Sequence, residues 1–200
     1  MSAREKYNRI AKLYDLLEGY IEKKVFSNFR KELFKHIEGK ILELGVGTGK
    51  NFPYYSKNLK GYAVDFSEKM LEVAKKRKEE LGLKNIEILQ MDIENLEFED
   101  ETFDTVFSSF VFCTVPNPIK GLQEARRVLK KDGKAVFLEH MKSSNFINNI
   151  FLYLMNPFTK LFLGTSMIRE TDKNIEKAGF KIVKTYYLHK DIVRLIIARK

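Results

Sequence analysis

The chain has 200 residues, 44% of them hydrophobic, and a formal net charge of +9. A lone cysteine, Cys113, excludes a disulfide framework, and His36, His140 and His189 lack metal-ligand spacing, so no metal is expected. No apolar run opens the chain and no uninterrupted 18-residue apolar stretch occurs, so one cytoplasmic domain over residues 1–200 is the expectation.

The positive charge admits nucleic acid, an anionic membrane surface or an anionic substrate as partner. Its distribution argues against nucleic acid. Lysines and glutamates interleave, as in Lys75-Lys76-Arg77-Lys78-Glu79-Glu80, which suits a solvated helix face.

Residues 4–18 hold Tyr7, Ile10, Leu13, Tyr14 and Leu17 at three- and four-residue spacings, which predicts an amphipathic helix ending near Gly19. Residues 20–37 repeat the period through Val25, Phe29, Leu33 and Ile37. These two helices (1–37) are expected to form a basic lid. A core follows over 38–142. In Ile41–Asn51 an apolar run leads into glycines at 45, 47 and 49. It reads as a buried parallel strand, about 40–45, and a turn whose backbone approaches a ligand because no Cβ intervenes. A short helix over 50–58 comes next, with Pro53 near its start.

Strand 2 is Gly61–Asp65, apolar until its terminal acid. Ser67 caps a helix that turns Met70, Leu71, Ala74 and Leu81 inward and ends at Gly82. Strand 3 is Ile86–Leu89, followed by Gln90-Met91-Asp92, and strand 4 spans 103–110. Asn117 and Pro118 open a helix carrying Leu122, Ala125 and Leu129. Lys131-Asp132-Gly133 is a tight turn into strand 5, Lys134–Glu139. Residues 143–168 form an insertion whose only charge is Lys160. Ile147, Ile150, Phe151 and Leu154 mark one helical stripe; after a break at Pro157, Phe158, Leu161 and Phe162 mark another. The insertion reads either as a buried crossover or as an apolar acceptor pocket that touches a membrane. In 169–200, Thr171 caps a last helix, and two apolar runs lie too close together for a helical crossover, so they form an antiparallel hairpin.

The alternation predicts an α/β fold: a doubly wound, Rossmann-like seven-stranded sheet with an antiparallel last strand and helices on both faces. Ligands on such sheets bind at the carboxyl ends of the strands. Gly45–Gly49, Asp65, Asp92, Ser108 with Ser109, and His140 all fall there. The glycines do not fit the dinucleotide spacing Gly-x-Gly-x-x-Gly, since position 50 is Lys.

Glu43-x-Gly45-x-Gly47-x-Gly49 resembles the first motif of class I S-adenosylmethionine-dependent methyltransferases. Val64-Asp65-Phe66-Ser67-x-x-Met70-Leu71 resembles their second motif, and Asp92-Ile93 their adenine-contacting acid and its neighbour. Arg126-Arg127-Val128-Leu129-Lys130-x-Asp132-Gly133 is similar to the approach to their fifth strand, with Lys134 where a second glycine is common. The resemblance implies S-adenosyl-L-methionine as cofactor and S-adenosyl-L-homocysteine as product. It places the methionine part at Glu43, Gly45, Gly47, Gly49 and Asn51, the ribose on Asp65, and the adenine among Phe66, Met70, Asp92 and Ile93. Tyr7, Tyr14, Ser109 and Phe110 complete the cofactor set, where an aromatic face favours the sulfonium charge.

Tyr7-Asn-x-Ile-Ala-x-x-Tyr14-Asp15 is similar to the opening of the quinone and phospholipid (type 11) branch. Phe110–Val115, Glu139-His140 and Arg169-Glu170-Thr171 are similar to a membrane-associated thiol methyltransferase-like branch. Both imply an apolar small-molecule or lipid acceptor: a phospholipid amine, a quinone ring or a thiol. His140 and Tyr14 are the expected catalytic residues, and peripheral contact with an anionic membrane is a further expectation. The family's base-amine enzymes carry an Asn-Pro-Pro-Tyr-like clamp after strand 4, where this chain has Ser108–Cys113. RNA methylation and a non-catalytic cofactor-binding module stand as the alternatives.

Overall fold

The computed structural model describes residues 26–163 and 165–200. The expected helix over 4–18, with Tyr7 and Tyr14, lies outside the described residues. The chain order is α1 (Ser27–Phe34), β1 (Lys40–Leu44), a 3-10 turn (Phe52–Tyr54), β2 (Lys60–Asp65), α2 (Glu68–Glu80), β3 (Ile86–Gln90) and β4 (Phe103–Ser109). Then come α3 (Pro118–Val128), β5 (Leu129–His140), α4 (Phe146–Leu163), α5 (Thr171–Lys177), β6 (Lys181–His189) and β7 (Val193–Arg199).

The seven strands form one sheet in the order β3-β2-β1-β4-β5-β7-β6. The first five pair in parallel and β7 pairs antiparallel with both β5 and β6. That is the doubly wound arrangement with a terminal hairpin that the sequence predicts. Apolar side chains cover both faces. One cluster includes Leu42, Val106, Phe112, Leu122 and Phe137; the other includes Leu33, Ile41, Phe52, Phe107 and Leu195. Ser67 Oγ accepts from Met70 N (3.3 Å) and Asn117 Oδ1 from Lys120 N (3.1 Å), so both predicted caps form.

Six local expectations fail, the first at Leu129, which was expected on the helix opened by Asn117 and Pro118 and instead begins β5 in extended backbone. The helix over 50–58 shrinks to one 3-10 turn, because Pro53 sits in it and Tyr55 is already extended. Leu81 is 45% exposed, as the cap residue that follows the last turn of α2. The turn at 131–133 is an irregularity inside β5, which starts at Leu129 opposite Phe103 and resumes its register at Lys134 opposite Thr105. Pro157 does not end the insertion helix: α4 continues through it, with the proline on the exposed side. Thr171 is not the cap of α5; Glu170 holds that position, and Thr171 Oγ1 is buried without a hydrogen-bond partner.

Candidate active site

A cleft of about 990 Å³ lies across the carboxyl ends of the strands. It opens over β1, where the crossovers to β2 on one side and β4 on the other part company. Its floor is the glycine turn. Gly45, Gly47 and Gly49 all have positive φ, but for different reasons. A Cβ on Gly45 would stand 2.6 Å from Val111 and one on Gly49 2.6 Å from the Phe52 ring; at Gly47 it would meet nothing. Packing therefore demands glycine at 45 and 49, while conformation alone demands it at 47. Of the three, Gly45 lines the cleft.

The turn is tied to β2 by Asp65. Gly47 N donates to Asp65 Oδ2 (2.9 Å) and Ser67 N to Oδ1 (2.9 Å). Burial pushes this carboxyl above its ordinary value, and the backbone donors oppose that shift. Asp65 lines the cleft together with Phe66, Met70 and Ile93, which supply its apolar walls on the β2–β3 side. Asp92 stands exposed on the same side, where its Oδ1 accepts from Glu94 N (2.9 Å).

Behind the turn lies a buried polar network. Asn51 Nδ2 donates to Glu43 Oε1 (2.5 Å) and to Ser109 Oγ (2.9 Å). Arg30 Nη1 donates to Asn51 Oδ1 (2.6 Å) and to Ser109 Oγ (2.8 Å), and the Tyr55 hydroxyl donates to Glu43 Oε2. Burial raises the Glu43 carboxyl to about 7, against the hydrogen bonds from Tyr55 and Asn51 and the charge of Arg30. Glu43 does not line the cleft; Asn51, Arg30 and Ser109 do. Glu43 is thus a support for the turn and for Asn51, one layer beneath the contact surface that the sequence reading assigned to it.

The other half of the cleft lies over β4, β5 and β7. Phe110 takes a positive φ of 58° at the end of β4, and its ring stacks on His140 at 6.4 Å. The loop that follows is held by Glu139, whose Oε1 accepts from Ser108 Oγ (2.8 Å), Val111 N (3.1 Å) and Phe112 N (3.2 Å). Phe110, Val111, Cys113, Val115, Met167, Ile192 and Val193 make the walls, with Thr114, Thr159 and Thr165 as polar members. Arg30 stands at its edge, bonded to Ser109 and 5.9 Å from the Phe110 ring, and no carboxylate lines this half among the described residues. His140 Nε2 is buried here without a hydrogen-bond partner, while the ring bonds to the backbone of Ser166. Burial lowers its basicity to about 4, so the ring is neutral at physiological pH. Burial also pushes the Cys113 thiol well up, which leaves it a small packing residue.

The cleft thus gathers Gly45, Asn51, Asp65, Phe66, Met70, Asp92, Ile93, Ser109, Phe110 and His140; it does not include Gly47, Gly49 or Glu43. Sequence reasoning missed Arg30, Tyr55 and the clamping role of Glu139. Two glutamates on otherwise apolar buried strands, Glu43 and Glu139, were the signal: each must find donors in the interior.

A family model described as "Methyltransferase domain" matches residues 42–137. A phosphatidylethanolamine N-methyltransferase from Cereibacter sphaeroides is 40% identical over 138 residues, covering 67% of this chain and 66% of that protein. A demethylmenaquinone methyltransferase from Thermotoga maritima is 33% identical, covering 79% and 64%. A thiol S-methyltransferase from Rattus norvegicus is 34% identical, covering 78% and 68%. The chain spans about two thirds of the length of these relatives. Among solved structures, an S-adenosylmethionine-dependent methyltransferase from Thermotoga maritima superposes with a TM-score of 0.75 at 24% identity, covering 98% of this chain and 99% of the other. Mitomycin 7-O-methyltransferase gives 0.78 at 15% identity, covering 100% and 61%.

Proposed function

The chain belongs to the methyltransferase-domain family, and on that premise we propose that it transfers the methyl group of S-adenosyl-L-methionine to an apolar small molecule. The observation that carries this reading is the division of one cleft into unlike halves. The β1–β3 half combines the glycine turn, the carboxylates of Asp65 and Asp92 and apolar walls; the β4–β7 half is mostly apolar, with Arg30 at its edge and no carboxylate among the described residues.

The residues present fit the cofactor. Asp65 is an oriented carboxylate suited to accept from a pair of ribose hydroxyls. Phe66, Met70 and Ile93 suit a flat ring, and Asp92 an exocyclic amine at its edge. Asn51, whose amide is held by Arg30, Glu43 and Ser109, borders the cleft beside the glycine turn, where the methionine end would lie. The bound cofactor supplies a methyl group activated on sulfur. The protein's share is alignment, a contribution of up to ~7–11 kcal/mol when donor and acceptor are well oriented.

A mostly apolar half-cleft without a carboxylate among its described residues favours an acceptor in its neutral form. For an amine that is the reactive form, since attack needs the free lone pair. For a thiol or a quinol the proton must leave, and His140 Nε2 is the unpartnered acceptor in reach of that half. Its low basicity suits it to orient the nucleophile through a hydrogen bond more than to hold a full proton. A phospholipid amine, a quinone ring and a thiol are the three acceptors of this kind, and the relatives act on one of each sort by their names. Peripheral contact with an anionic membrane belongs to the same reading, as the place where such acceptors reside. No helix among the described residues is long and apolar enough to cross a membrane.

Calorimetric titration with S-adenosylmethionine, S-adenosylhomocysteine and NAD tests the cofactor half: the two sulfur ligands should bind and NAD should not. A labelled-methyl screen over lipid extract, quinone precursors, alkyl thiols and RNA tests the other half. Label in RNA would overturn the acceptor reading, and failure of both sulfur ligands to bind would overturn the whole.

A further inference from the structure

Helix α4 inverts the usual order of a surface helix. Its inward stripe is Leu152 and Asn156, both buried, with Thr159 one turn on. Its outer surface carries Phe146 (78% exposed), Ile147 (75%), Phe151, Leu154 (67%), Phe158 and Leu161. The apolar face thus points away from the protein. It is also held rigidly there. At its start Asp191 accepts from Ser143 Oγ (2.5 Å), Ser144 Oγ (2.7 Å) and Ser144 N (2.5 Å). In its second half Asn156 Oδ1 accepts from Met167 N (3.0 Å), and beyond its end Ser166 N donates to Cys113 O (3.0 Å). Exposed apolar faces of this extent mark a surface that meets something other than water.

We propose that the outer face of α4 is a membrane-contact surface, lying in the headgroup–acyl boundary of an anionic bilayer beside the mouth of the cleft. Charge selects the occupant. Between Glu139 and Glu170 the chain has no acidic residue; of its charges there, Lys142 and Lys160 flank the helix, Lys142 lying 4.0 Å from Glu170, while Arg169 turns inward to Val115 O. Lys190 is exposed in the β6–β7 turn, next to the aspartate that fastens the start of α4. Basic groups beside an apolar helix face match anionic headgroups over acyl chains. Geometry adds the second argument: Thr159 on the inner side of α4, and Thr165 and Met167 just after it, line the mostly apolar half of the cleft. A helix half-sunk in the bilayer would place that half-cleft against the layer that holds apolar acceptors. This route for the acceptor rests on the function proposed for the cleft; the contact itself does not.

The chain contains no tryptophan, so one introduced indole reports its own position. Two single-tryptophan variants of the full chain serve, Phe151→Trp on α4 and Leu81→Trp at the end of α2, mixed with vesicles of phosphatidylglycerol and phosphatidylcholine. The expected result is a blue shift at position 151, quenching there of about twofold by brominated acyl chains, and no change at position 81. Phe151→Asp combined with Leu154→Asp should weaken vesicle binding by about tenfold or more, while S-adenosylhomocysteine affinity and melting temperature stay unchanged. Four results would overturn the proposal. Vesicle binding with unshifted indole emission from position 151 would put the membrane contact elsewhere on the chain. Emission already blue in buffer at every protein concentration would mean that residues 1–25 cover the face. A shift that follows protein concentration without lipid would make it a contact between copies. Undiminished vesicle binding by the double aspartate variant would leave the apolar face without a part in it. None of these readouts depends on methyl transfer, so they stand or fall separately from the function of the cleft.

Discussion

Glu139→Gln should stabilise the protein, and the gain should appear only above mildly acidic pH. The carboxyl is fully enclosed between Ser108, Val111 and Phe112, with Oε2 lacking any partner. Burial raises it from 4.5 to about 7, and the charge of Arg169 is the least of the influences holding it down. A group whose folded value lies above its unfolded value leaves stability intact below the unfolded value and removes it as pH climbs to the folded one. The interval here runs from about 4.5 to about 7. At about 1.4 kcal/mol for each tenfold change in proton affinity, ionised Glu139 costs about 3 kcal/mol at pH 8. Glutamine keeps an acceptor for the three donors and cannot ionise. Its melting temperature should match the parent's near pH 4.5 and exceed it by about 6–12 °C at pH 8, using about 2–4 °C per kcal/mol for a chain of this size. Scanning calorimetry at the two pH values decides the matter. An equal gain at both, or a loss at pH 8, would refute the reasoning, because the enclosed carboxylate would then be a favourable charge.

Asp65→Ala should weaken S-adenosylmethionine binding by about 1.5–3 kcal/mol, the worth of hydrogen bonds to a charged group; unchanged affinity by calorimetry removes the ribose assignment. His140→Ala should lower turnover by about tenfold with cofactor affinity intact, a loss typical of one hydrogen bond. In the parent, turnover should show no inflection near 6.5 from this group, because burial moves its titration to about 4; an inflection near 6.5 that vanishes in the variant would contradict the enclosed imidazole. Gly49→Ala meets the Phe52 ring at 2.6 Å as well as an unfavourable φ of 77°, whereas Gly47→Ala meets only the unfavourable φ. Urea unfolding should show about 2–4 kcal/mol lost at position 49 and about 1 kcal/mol at position 47; equal losses would mean that the ring yields freely.

What could be read from the sequence was whatever has a short period or a fixed place on a strand. β1 to β5 announce themselves as short apolar runs, and Asp65 and Asp92 are placed by standing just after such runs. Arg30 was invisible for the opposite reason. It lies 21 residues from Asn51 and 79 from Ser109, and beside Lys31 and Lys35 another cation reads as solvated. Only the fold of β1 against β4 brings its two acceptors together. Pro157 misled because a break is the rule inside a helix, yet on the exposed side of α4 the carbonyl that it leaves unbonded is not forced into the core.

The insertion marks a deeper limit. Hydrophobic periodicity says which side chains avoid water; it does not say what replaces the water. Leu152 and Phe151 are neighbours with the same chemistry, and one is 1% exposed and the other 61%. The difference comes from Asn156 and Asp191, polar residues that pin the helix by both ends and so choose which of its apolar sides faces in. A stripe of asparagine and threonine turned toward a protein, with phenylalanine and leucine turned outward, would be unstable packing if water were the only surroundings. The same polar stripe borders the cleft at Thr159, so the residues that turn the apolar face outward also shape the mostly apolar half of the cleft. Orientation of α4 and the lining of that half of the cleft are therefore one structural decision, made by a handful of hydrogen bonds.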